Sequence, residues 1–460
     1  MNRHYQYTRS NINWLEKIPS HWTEVPLKVV ASCNDEVLPE STEPDKQINY
    51  VEISDVNSIL GIKNVTPMPF SESPSRARRI VRTGDILIST VRTYLKAIAA
   101  VQKNSESLVA STGFAVIRTS SNNAISKYLG KLVLTDGFIG EIISRSVGVS
   151  YPAINASEIM QIKIPLPQLE EQQKIAQFLD YETAKIDALI DEQKRLIELL
   201  KEKRQAVISH AVTKGLNPDA PMKDSDVEWL GEVPEHWQVV PLKHKCAFKG
   251  GGTPSKENLE FWNGDIPWVS PKDMKSFEIS SSIDKITESG LRNSSTSLVP
   301  PGSMLLVARS GILQRTIPVA INSVAVSLNQ DLKALTFNNQ HHAYFCAFLF
   351  MGLEKLLLLE LRKQGATVES LEQEYLENCS IAWPPLEELK SICRFIENQL
   401  NSIRNLTNQS TMLMTTLQER RSALISAAVT GKIDVRDWQP PAGSDTVDSN
   451  ALVQTERHYG

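Results

Sequence analysis

Two long stretches of the chain carry apolar residues at alternating steps of four and three positions. The first follows "IPLPQLEEQ" and the second follows "WPPLEEL", and prolines followed by acids are typical of a helix N-terminus. This 3.5-residue repeat, sustained over several heptads, predicts a coiled coil of helices about 40 residues and about 60 Å long. We expect the interface to be formed by Ile175, Leu179, Ile186, Leu189, Leu196, Leu200, Val207, Ile392, Ile396, Ile403, Leu406, Leu413, Leu417 and Leu424.

The two apolar stripes correspond residue by residue at an offset of 217, and their polar interruptions coincide as well. The chain order is globular segment, helix, globular segment, helix. If the helices pair compactly, the second must therefore run back towards the first globular segment, and the pair is predicted to be antiparallel. This arrangement would bring the end of the second helix close to Trp14, just as the first helix leads into Trp229.

The opening of each half is repeated too. "WLEKIPSHWTEVPLK" from Trp14 matches "WLGEVPEHWQVVPLK" from Trp229 at nine of fifteen positions, with an offset of 215. A period near 216 residues is much longer than a solenoid repeat, so each copy is a domain with its connector. We expect structural roles for the aromatic and imidazole side chains of this motif, which are Trp14, Trp22, His21, Trp229, Trp237 and His236.

The segments between opening motif and helix contain short β-like runs separated by turn signals, such as "GDILISTV" and "GSMLLVA". Aligning Gly84 with Gly302 extends the duplication through them at low similarity. The predicted fold class is α+β: two globular mixed α/β domains joined by two long helices in an antiparallel coiled coil with a pseudo-two-fold, circular arrangement. The predicted boundaries are 1–165 and 216–383 for the domains, 166–215 and 384–432 for the helices, and 433–460 for a disordered tail.

Composition narrows the protein class. Of 460 residues, 41% are hydrophobic and 22% charged, which is ordinary for soluble globular proteins. The apolar run from Ala343 is interrupted by Glu354 and Lys355, so we expect a buried helix there rather than a membrane span. Five cysteines without a C-x-x-C pair, and polar first residues without a secretory signal, favour a cytoplasmic protein without zinc or disulfides.

Charge is distributed unevenly around a net value of −4. Residues 1–165 contain 18 basic and 15 acidic residues, whereas residues 221–383 contain 15 and 19. Within the first segment, residues 76–96 hold six basic residues opposed only by Asp85. They form a candidate phosphate-facing patch, although a solvated basic face remains an alternative.

Catalytic motifs are weak by comparison. "KGGGTPSK" does not fit the phosphate-binding G-x-x-x-x-G-K-[ST] pattern. Asp265, Asp273 and Lys275 resemble the acidic and lysine cluster of metal-dependent nucleases, a spacing that also arises by chance. An enzymatic hypothesis, cleavage of DNA by the chain itself, rests on these three residues alone.

The repeated motifs resemble those of the specificity (S) subunit of type I restriction–modification systems. The resemblance rests on the two opening motifs, on "PLPQLEEQQKIAQFLD" and "PPLEELKSICRFIE" before the helices, and on "GGTPSKENLEFWNGDIPWVSPKDM". It implies that two target recognition domains each read half of a bipartite DNA sequence, and that the helices fix the gap between the halves. It also implies two methyltransferase subunits and additional restriction subunits as partners, which would hold S-adenosylmethionine, ATP and Mg²⁺, with no cofactor or metal in this chain.

A non-catalytic DNA-reading subunit is thus the main hypothesis, and a two-headed scaffold that binds only proteins is its structural alternative. Arginine and glutamine can contact base edges in pairs of hydrogen bonds, whereas lysine and hydroxyl groups more often contact the backbone. On that basis we expect DNA contacts from Arg76, Arg78, Arg79, Arg92, Tyr94 and Lys96, and from Lys249, Thr253, Ser255, Lys272, Arg309, Gln314 and Arg315.

Overall fold

The computed structural model describes residues 5–101, 107–119, 122–362 and 368–440. The chain forms two compact units: unit 1 is Met1–Glu192 with Leu413–Gly460, and unit 2 is Gln193–Met412. Two long helices, Leu169–Lys214 and Leu386–Val429, each begin in one unit and end in the other. Each unit therefore contains one globular part and about half of each helix, and the predicted α+β duplication with two long helices is confirmed.

Unit 1 combines short strands with three small helices before its long one. Its strands are β1 Tyr7–Arg9, β2 Lys17–Pro19, β3 Thr23–Pro26, β4 Ala31–Cys33, β5 Gln47–Val51, β6 Val56–Asn57, β7 Gly61–Ile62, β8 Thr66–Pro69, β9 Ala77–Ile80, β10 Ile86–Ser89, β11 Ile98–Ala100, β12 Leu108–Ser111, β13 Phe114–Thr119 and β14 Lys163–Leu166. Its helices are α1 Ser126–Leu132, α2 Asp136–Arg145, α3 Ala156–Ile159 and the beginning of α4 Leu169–Lys214.

Unit 2 also consists of short strands and small helices before its long helix. Its strands are β15 Met222–Asp224, β16 Glu232–Pro234, β17 Gln238–Pro241, β18 Cys246–Gly250, β19 Trp262–Val269, β20 Glu278–Ile279, β21 Asp284–Ile286, β22 Met304–Val307, β23 Val319–Asn322, β24 Ser327–Leu328, β25 Leu332–Phe337 and β26 Ser380–Trp383. Its helices are α5 Glu288–Arg292, α6 Gln340–Gly352, α7 Glu354–Leu361, α8 Gln373–Asn378 and the beginning of α9 Leu386–Val429.

The main sheet has the same topology in both units. The antiparallel order β4-β13-β10-β11 in unit 1 corresponds to β18-β25-β22-β23 in unit 2, where β20 adds a fifth strand. The central strands β10 and β22 are buried on both faces, which explains their continuous apolar sequences. Each follows a glycine with positive φ, Gly84 at +90° and Gly302 at +78°. The weakly similar middles of the two halves thus share one fold.

Residues on alternate faces of β10 enter different cores. Ile86 and Ile88 pack in the cluster that contains Phe138 of α2, whereas Leu87 packs on the opposite side with Val116. Side chains of a strand point alternately to its two faces, so this short strand separates two hydrophobic layers. It is therefore a rigid base for the loop that follows it.

The apolar run from Ala343 forms two helices, α6 and α7, that meet at Leu353. Phe345, Phe348 and Phe350 of α6 are almost completely buried, as the sequence predicts. Among the helices that the structure describes, we find none with the length and apolarity needed to cross a bilayer.

Each long helix ends against an opening motif in the same way. After α9, Gly431 has a φ of +75° and packs against Pro19 and Trp22 of unit 1. After α4, Gly215 has a φ of +72° and packs against Trp237 of unit 2. The predicted return of the second helix to the first opening motif is thus present within unit 1.

Each long helix also begins at the same motif, through a hydrogen-bonded histidine and glutamate in its first turn. The Nε2 atom of His21 lies 2.9 Å from Oε2 of Glu171, and that of His236 lies 2.7 Å from Oε2 of Glu388. The repeated histidines therefore join the start of a helix to the opening motif, which is the structural role expected from the sequence.

The helices run antiparallel where both lie in unit 1. Nε of Arg421 lies 2.8 Å from Oδ1 of Asp187. Lys174, earlier on α4, donates a hydrogen bond to the carbonyl oxygen of Arg436, which follows α9. Residue numbers therefore rise along one helix as they fall along the other.

The seam between the helices differs from the predicted one. Leu189, Leu196, Leu406 and Leu413 are 46%, 39%, 47% and 45% exposed, so their assignment to the interface was wrong. Val207 and Leu424 are half-buried. The buried positions of the two helices include Ile175, Leu179, Thr183, Ile186, Ile190, Leu200, Ile208, Ile392, Ile396, Ile403, Ser410, Leu417 and Ile425.

Ile190 belongs to the buried seam of unit 1, whereas its neighbour Leu189 does not. Ile190 is 6% exposed and packs with Ile186 and Leu417 in unit 1. Ile190→Ser should lower the free energy of unfolding of unit 1 by about 3 kcal/mol, because it opens a cavity and buries a hydroxyl. Leu189→Ser, one position away, should cost less than about 1 kcal/mol. The loss of stability in both variants is measured by amide hydrogen exchange along α4 and α9. If the two variants lose equal protection, Leu189 belongs to the seam.

The chain continues in ordered contact after α9. Val435 is 1% exposed, and the Trp438 ring lies 5.5 Å from that of Phe178, centroid to centroid. The predicted disordered tail was therefore placed too early, because residues 433–438 pack on unit 1. Residues 441–460 lie outside the described part of the chain.

Candidate nucleic-acid interface

Six of the predicted DNA contacts lie on two equivalent loops. In unit 1, the loop between β10 and β11 contains a 3-10 turn, Thr93–Leu95. In unit 2, the loop between β22 and β23 contains the 3-10 turn Gly311–Gln314. We call them loop 90–97 and loop 308–318. They carry Arg92, Tyr94 and Lys96, and Arg309, Gln314 and Arg315, respectively.

Loop 90–97 has a well-defined shape. Arg92 and Lys96 adopt left-handed backbone conformations, with φ of 50° and 51°, on either side of the turn. Such conformations are costly for residues with a Cβ and are held by surrounding contacts. One such contact joins Thr93 Oγ1 to Ser146 Oγ at 2.8 Å. The side chains of Arg92, Tyr94 and Lys96 are all exposed.

The charges of loop 90–97 are only partly compensated. The Arg92 guanidinium lies 4.8 Å from the centroid of the Tyr151 ring, and in the described residues it has no carboxylate partner. Nζ of Lys96 lies 3.7 Å from a carboxylate oxygen of Asp136, whose side chain is 86% exposed. A surface ion pair of this kind contributes little and is easily exchanged for a phosphate.

Loop 308–318 is arranged similarly but is more neutral. Nε of Arg309 lies 2.8 Å from Oδ1 of Asp331. Gln314 and Arg315 are exposed at the end of the turn. The two loops thus occupy the same place in a duplicated fold and present different hydrogen-bonding groups.

Arg76, which precedes β9, and Arg78 of β9 make contacts within unit 1. Arg76 pairs with Glu52 and donates to the Tyr50 hydroxyl, and these contacts raise its pKa. Arg78 lies over the Phe70 ring at 4.9 Å, whereas Nε of Arg79 is buried and has no hydrogen-bond partner among the described residues. The basic surplus counted along residues 76–96 is therefore partly offset by acids from distant segments.

The remaining predictions in unit 2 lie apart from loop 308–318 in sequence. Nζ of Lys249 donates to the carbonyl oxygen of Leu298 at 3.2 Å, and Thr253 donates to Gln330. Ser255 and Lys272 are exposed. The structure therefore gives Lys249 and Thr253 partners within the protein and leaves Ser255 and Lys272 open to solvent.

The glycine-rich segment before them is packed inside the protein. A Cβ on Gly251 would lie 2.0 Å from the carbonyl oxygen of Asn329, and one on Gly252 would lie 2.1 Å from Ser295 Oγ. These glycines are needed for the close approach of two segments of the same chain.

Asp273, one of the three nuclease-like residues, is hydrogen-bonded within the protein. Both carboxylate oxygens of Asp273 accept hydrogen bonds at 2.8 Å, from the backbone N–H groups of Ser270 and Ile283 and from the Ser270 hydroxyl. Over the described ranges, no group of three acidic, histidine or cysteine side chains could hold a metal ion. Burial raises the pKa of Cys246 to about 12, so this thiol is protonated at neutral pH.

One feature beside loop 90–97 was missed from the sequence. Residues 147–153 form a hairpin whose Val147, Val149 and Tyr151 are 79%, 102% and 65% exposed. Arg145 and Gly148 recur as Arg362 and Gly365 at the offset of 217. That recurrence was the available signal, because the segment 147–153, which contains Gly148 and Pro152, is too short to show a helical or strand periodicity.

A family model matches both halves of the chain. The type I restriction modification DNA specificity domain matches residues 19–199 and residues 234–412. Each match begins inside or just before an opening motif and ends within a long helix. The two matches correspond to the two copies of the duplication.

Several relatives are similar to the chain. It is 32% identical over 265 residues to the type I restriction enzyme EcoR124I/EcoR124II specificity subunit of Escherichia coli, an alignment covering 55% of this chain and 59% of that protein. It is 24% identical over 433 residues to the putative type I restriction enzyme MjaX specificity subunit of Methanocaldococcus jannaschii, covering 91% and 95%. The first alignment thus spans less than two thirds of the relative.

Solved structures share the fold. A chain from a type I R-M system superposes with a TM-score of 0.71 at 22% identity, covering 91% of this chain and 100% of that one. The HsdS subunit from Thermoanaerobacter tengcongensis gives a TM-score of 0.53 at 24% identity, covering 90% and 98%.

Proposed function

The chain belongs to the family of type I restriction–modification DNA specificity subunits, and on this premise we propose that each globular part reads one half of a bipartite DNA target. The chain itself is non-catalytic in this proposal. Methyltransferase and restriction subunits supply the chemistry, together with S-adenosylmethionine, ATP and Mg²⁺, in the cytoplasm.

The observation that carries the proposal is the pair of equivalent loops. Loop 90–97 and loop 308–318 follow the same central strand of the same sheet in two copies of one fold. One presents Arg92, Tyr94 and Lys96, and the other presents Gln314 and Arg315. Arginine recognises guanine and glutamine recognises adenine in the major groove, so a shared frame with different loops suits two different half-sites.

The long helices are proposed to hold the methyltransferase subunits. Five leucines of the two helices lie outside the buried seam and are exposed. They are Leu189 and Leu413 in unit 1 and Leu196, Leu199 and Leu406 in unit 2. Leucines on the outer face of a helix are suited to packing against helices of another protein. The same uncovered residues recur at the offset of 217 (Leu189 and Leu406, Leu196 and Leu413), which favours one methyltransferase subunit for each half.

The target is identified by mapping adenine methylation in cells with the intact gene and in cells with its deletion. We expect deletion to abolish methylation of one motif, made of two short specified blocks around a fixed gap. Unchanged methylation, together with no retention of any DNA by the complex reconstituted with its methyltransferase subunits, would instead support the protein-binding scaffold.

The mapped motif then tests loop 90–97. In the complex with methyltransferase subunits, Arg92→Ala combined with Lys96→Ala should raise the Kd for a duplex carrying the motif by at least about tenfold, because a base contact and a phosphate contact are lost. The matched control removes two exposed charges elsewhere in unit 1, with Lys127→Ala and Lys163→Ala. Equal affinities of the two double variants would remove loop 90–97 from the interface.

A further inference from the structure

The hairpin at residues 147–153 is small and firmly closed. The backbone N–H of Val147 donates to the carbonyl oxygen of Ala153 at 2.8 Å, and that of Ala153 donates to Val147 at 3.0 Å. Gly148, with a φ of +119°, allows the chain to turn. We call residues 147–153 the Val149 hairpin, because the Val149 side chain at its tip is completely exposed.

The Val149 hairpin is held against loop 90–97. Ala153 forms a β-bridge with Val91, and the N–H of Ile154 donates to the carbonyl oxygen of Thr90 at 2.9 Å. The Tyr151 ring lies under the Arg92 guanidinium at 4.8 Å. A fixed apolar tip therefore projects beside the cationic groups proposed to contact DNA.

The same connection occurs in unit 2. Arg309 forms a β-bridge with Ser370, which is Ala153 shifted by 217, and the N–H of Ser310 donates to the carbonyl oxygen of Glu369 at 2.9 Å. Residues 363–367 lie outside the described part of the chain, but their sequence retains Gly365 at the position of Gly148. The bridge that joins this segment to the loop is thus common to both halves, whereas Val149 at the tip corresponds to Ala366 in the sequence of unit 2.

We propose that the Val149 hairpin is an apolar wedge that enters a groove of the DNA and partly unstacks one base step in the half-site bound by unit 1. Apolar side chains inserted between base steps unstack and kink DNA, and the deformation energy depends on the step. Arg92 and Lys96 hold the phosphates beside the wedge. The inference rests on the proposed DNA-reading function. It adds a deformation of the DNA that contributes to specificity without a hydrogen bond to a base.

DNA fits this tip better than a protein surface does. Val149 stands between Gly148 and Ser150 at the tip, and only Val147 and Tyr151 of the same hairpin are exposed large apolar residues beside it. A stable protein interface buries about 800 Å² on each partner, far more than one valine provides, whereas a wedge needs only one or two side chains. The adjacent Arg92 and Lys96 add the positive charge that a phosphate backbone attracts.

The test uses the complex of the full chain with its methyltransferase subunits and a duplex that carries the mapped motif. 2-Aminopurine replaces in turn each adenine, on either strand, of both half-sites and of the base pairs next to them, except the methylated adenine, since its fluorescence rises when stacking is lost. Val149→Ser removes the apolar tip. Ile59→Ser is the matched control, because Ile59 is 61% exposed at another hairpin turn of unit 1.

The wild-type complex should show increased fluorescence at one step of one half-site. Val149→Ser should abolish that increase and weaken binding about tenfold, while Ile59→Ser should change neither. Unaltered fluorescence and affinity in Val149→Ser, with discrimination against a scrambled duplex retained, would overturn the wedge alone. Loss of the methyltransferase subunits from Val149→Ser on gel filtration would also overturn it, by showing that the tip contacts protein. A wild-type complex that does not distinguish the two duplexes would overturn the proposed function itself.

Discussion

Removing residues 190–196 together with residues 407–413 is expected to shorten the unspecified gap of the methylated target by about three base pairs. Each deletion takes one heptad, about 10.5 Å of helix, which is close to three base-pair steps of about 3.4 Å. The two segments are equivalent because they differ by the repeat offset of 217. The seam stays in register, since Ile197 takes the place of Ile190 and Met414 that of Thr407. Methylation mapping of cells carrying the shortened gene reads the new gap directly.

A deletion of four residues is the control for this change. Removing residues 190–193 and 407–410 would bring Lys194 to the position of Ile190, which is 6% exposed in the native seam. A charge at such a position is strongly destabilising, so this variant should not assemble. A heptad deletion that assembles and methylates the original motif would contradict the role of the helices as a ruler.

Gly431→Ala is expected to unfold the junction of unit 1. A Cβ at Gly431 would lie 2.4 Å from Cγ and 2.5 Å from Cδ of Pro19. The proline ring cannot move away easily, because its strand β2 is paired with β1. The positive φ of 75° adds about 1–2 kcal/mol of strain for any residue with a Cβ. We therefore expect a loss of stability of at least about 3 kcal/mol, measured by faster amide exchange in residues 5–27 and 413–438.

Gly215→Ala provides the matched comparison. Gly215 has nearly the same φ, +72°, but a Cβ there would first meet Oε1 of Glu388 at 3.1 Å and the Trp237 ring at 3.3 Å. A flexible carboxylate can give way by a few tenths of an ångström, so only the backbone strain of about 1–2 kcal/mol remains. Similar losses in the two variants would mean that contact with Pro19 does not limit the junction.

The duplicated frame could be read from the sequence because its signals are local. The opening motifs and the helix starts depend on tryptophan, proline and glutamate at fixed positions, and the structure uses them in both halves. Several seam positions were misplaced by one residue because the buried stripe contains two successive steps of four, from Ile175 to Leu179 and from Leu179 to Thr183. The 3.5-residue pattern places a step of three after Leu179. Thr183 is buried and its hydroxyl donates to the carbonyl oxygen of Leu179 at 2.6 Å. In the sequence alone, a polar residue such as Thr183 cannot be told from a surface residue. In the structure its hydroxyl is hydrogen-bonded within its own helix, so it can be buried.

The candidate interface could be predicted only in part. Arg92 and Lys96 of loop 90–97 were found because they belong to the basic run of residues 76–96. The charges that offset the other arginines were not foreseeable, because Glu52 is 24 residues from Arg76 in sequence and Glu36 is 46 residues from Arg82. Whether an arginine is free to contact DNA depends on such pairing with acids distant in sequence. A count of charges along one segment cannot predict this pairing.

The repeated junction has a consequence for inheritance. In unit 1 the Tyr7 hydroxyl donates to the carbonyl oxygen of Gly431, so the two ends of the described chain meet where unit 2 has a continuous backbone through Gly215. The contacts of each junction are made by two repeated sequence motifs, namely the end of a long helix and an opening motif. A recombination event that exchanges one half of the gene at these motifs would therefore keep the frame intact while replacing a recognition loop. Under the proposed function, an exchange of halves would give a new DNA specificity without the gradual change of a single site.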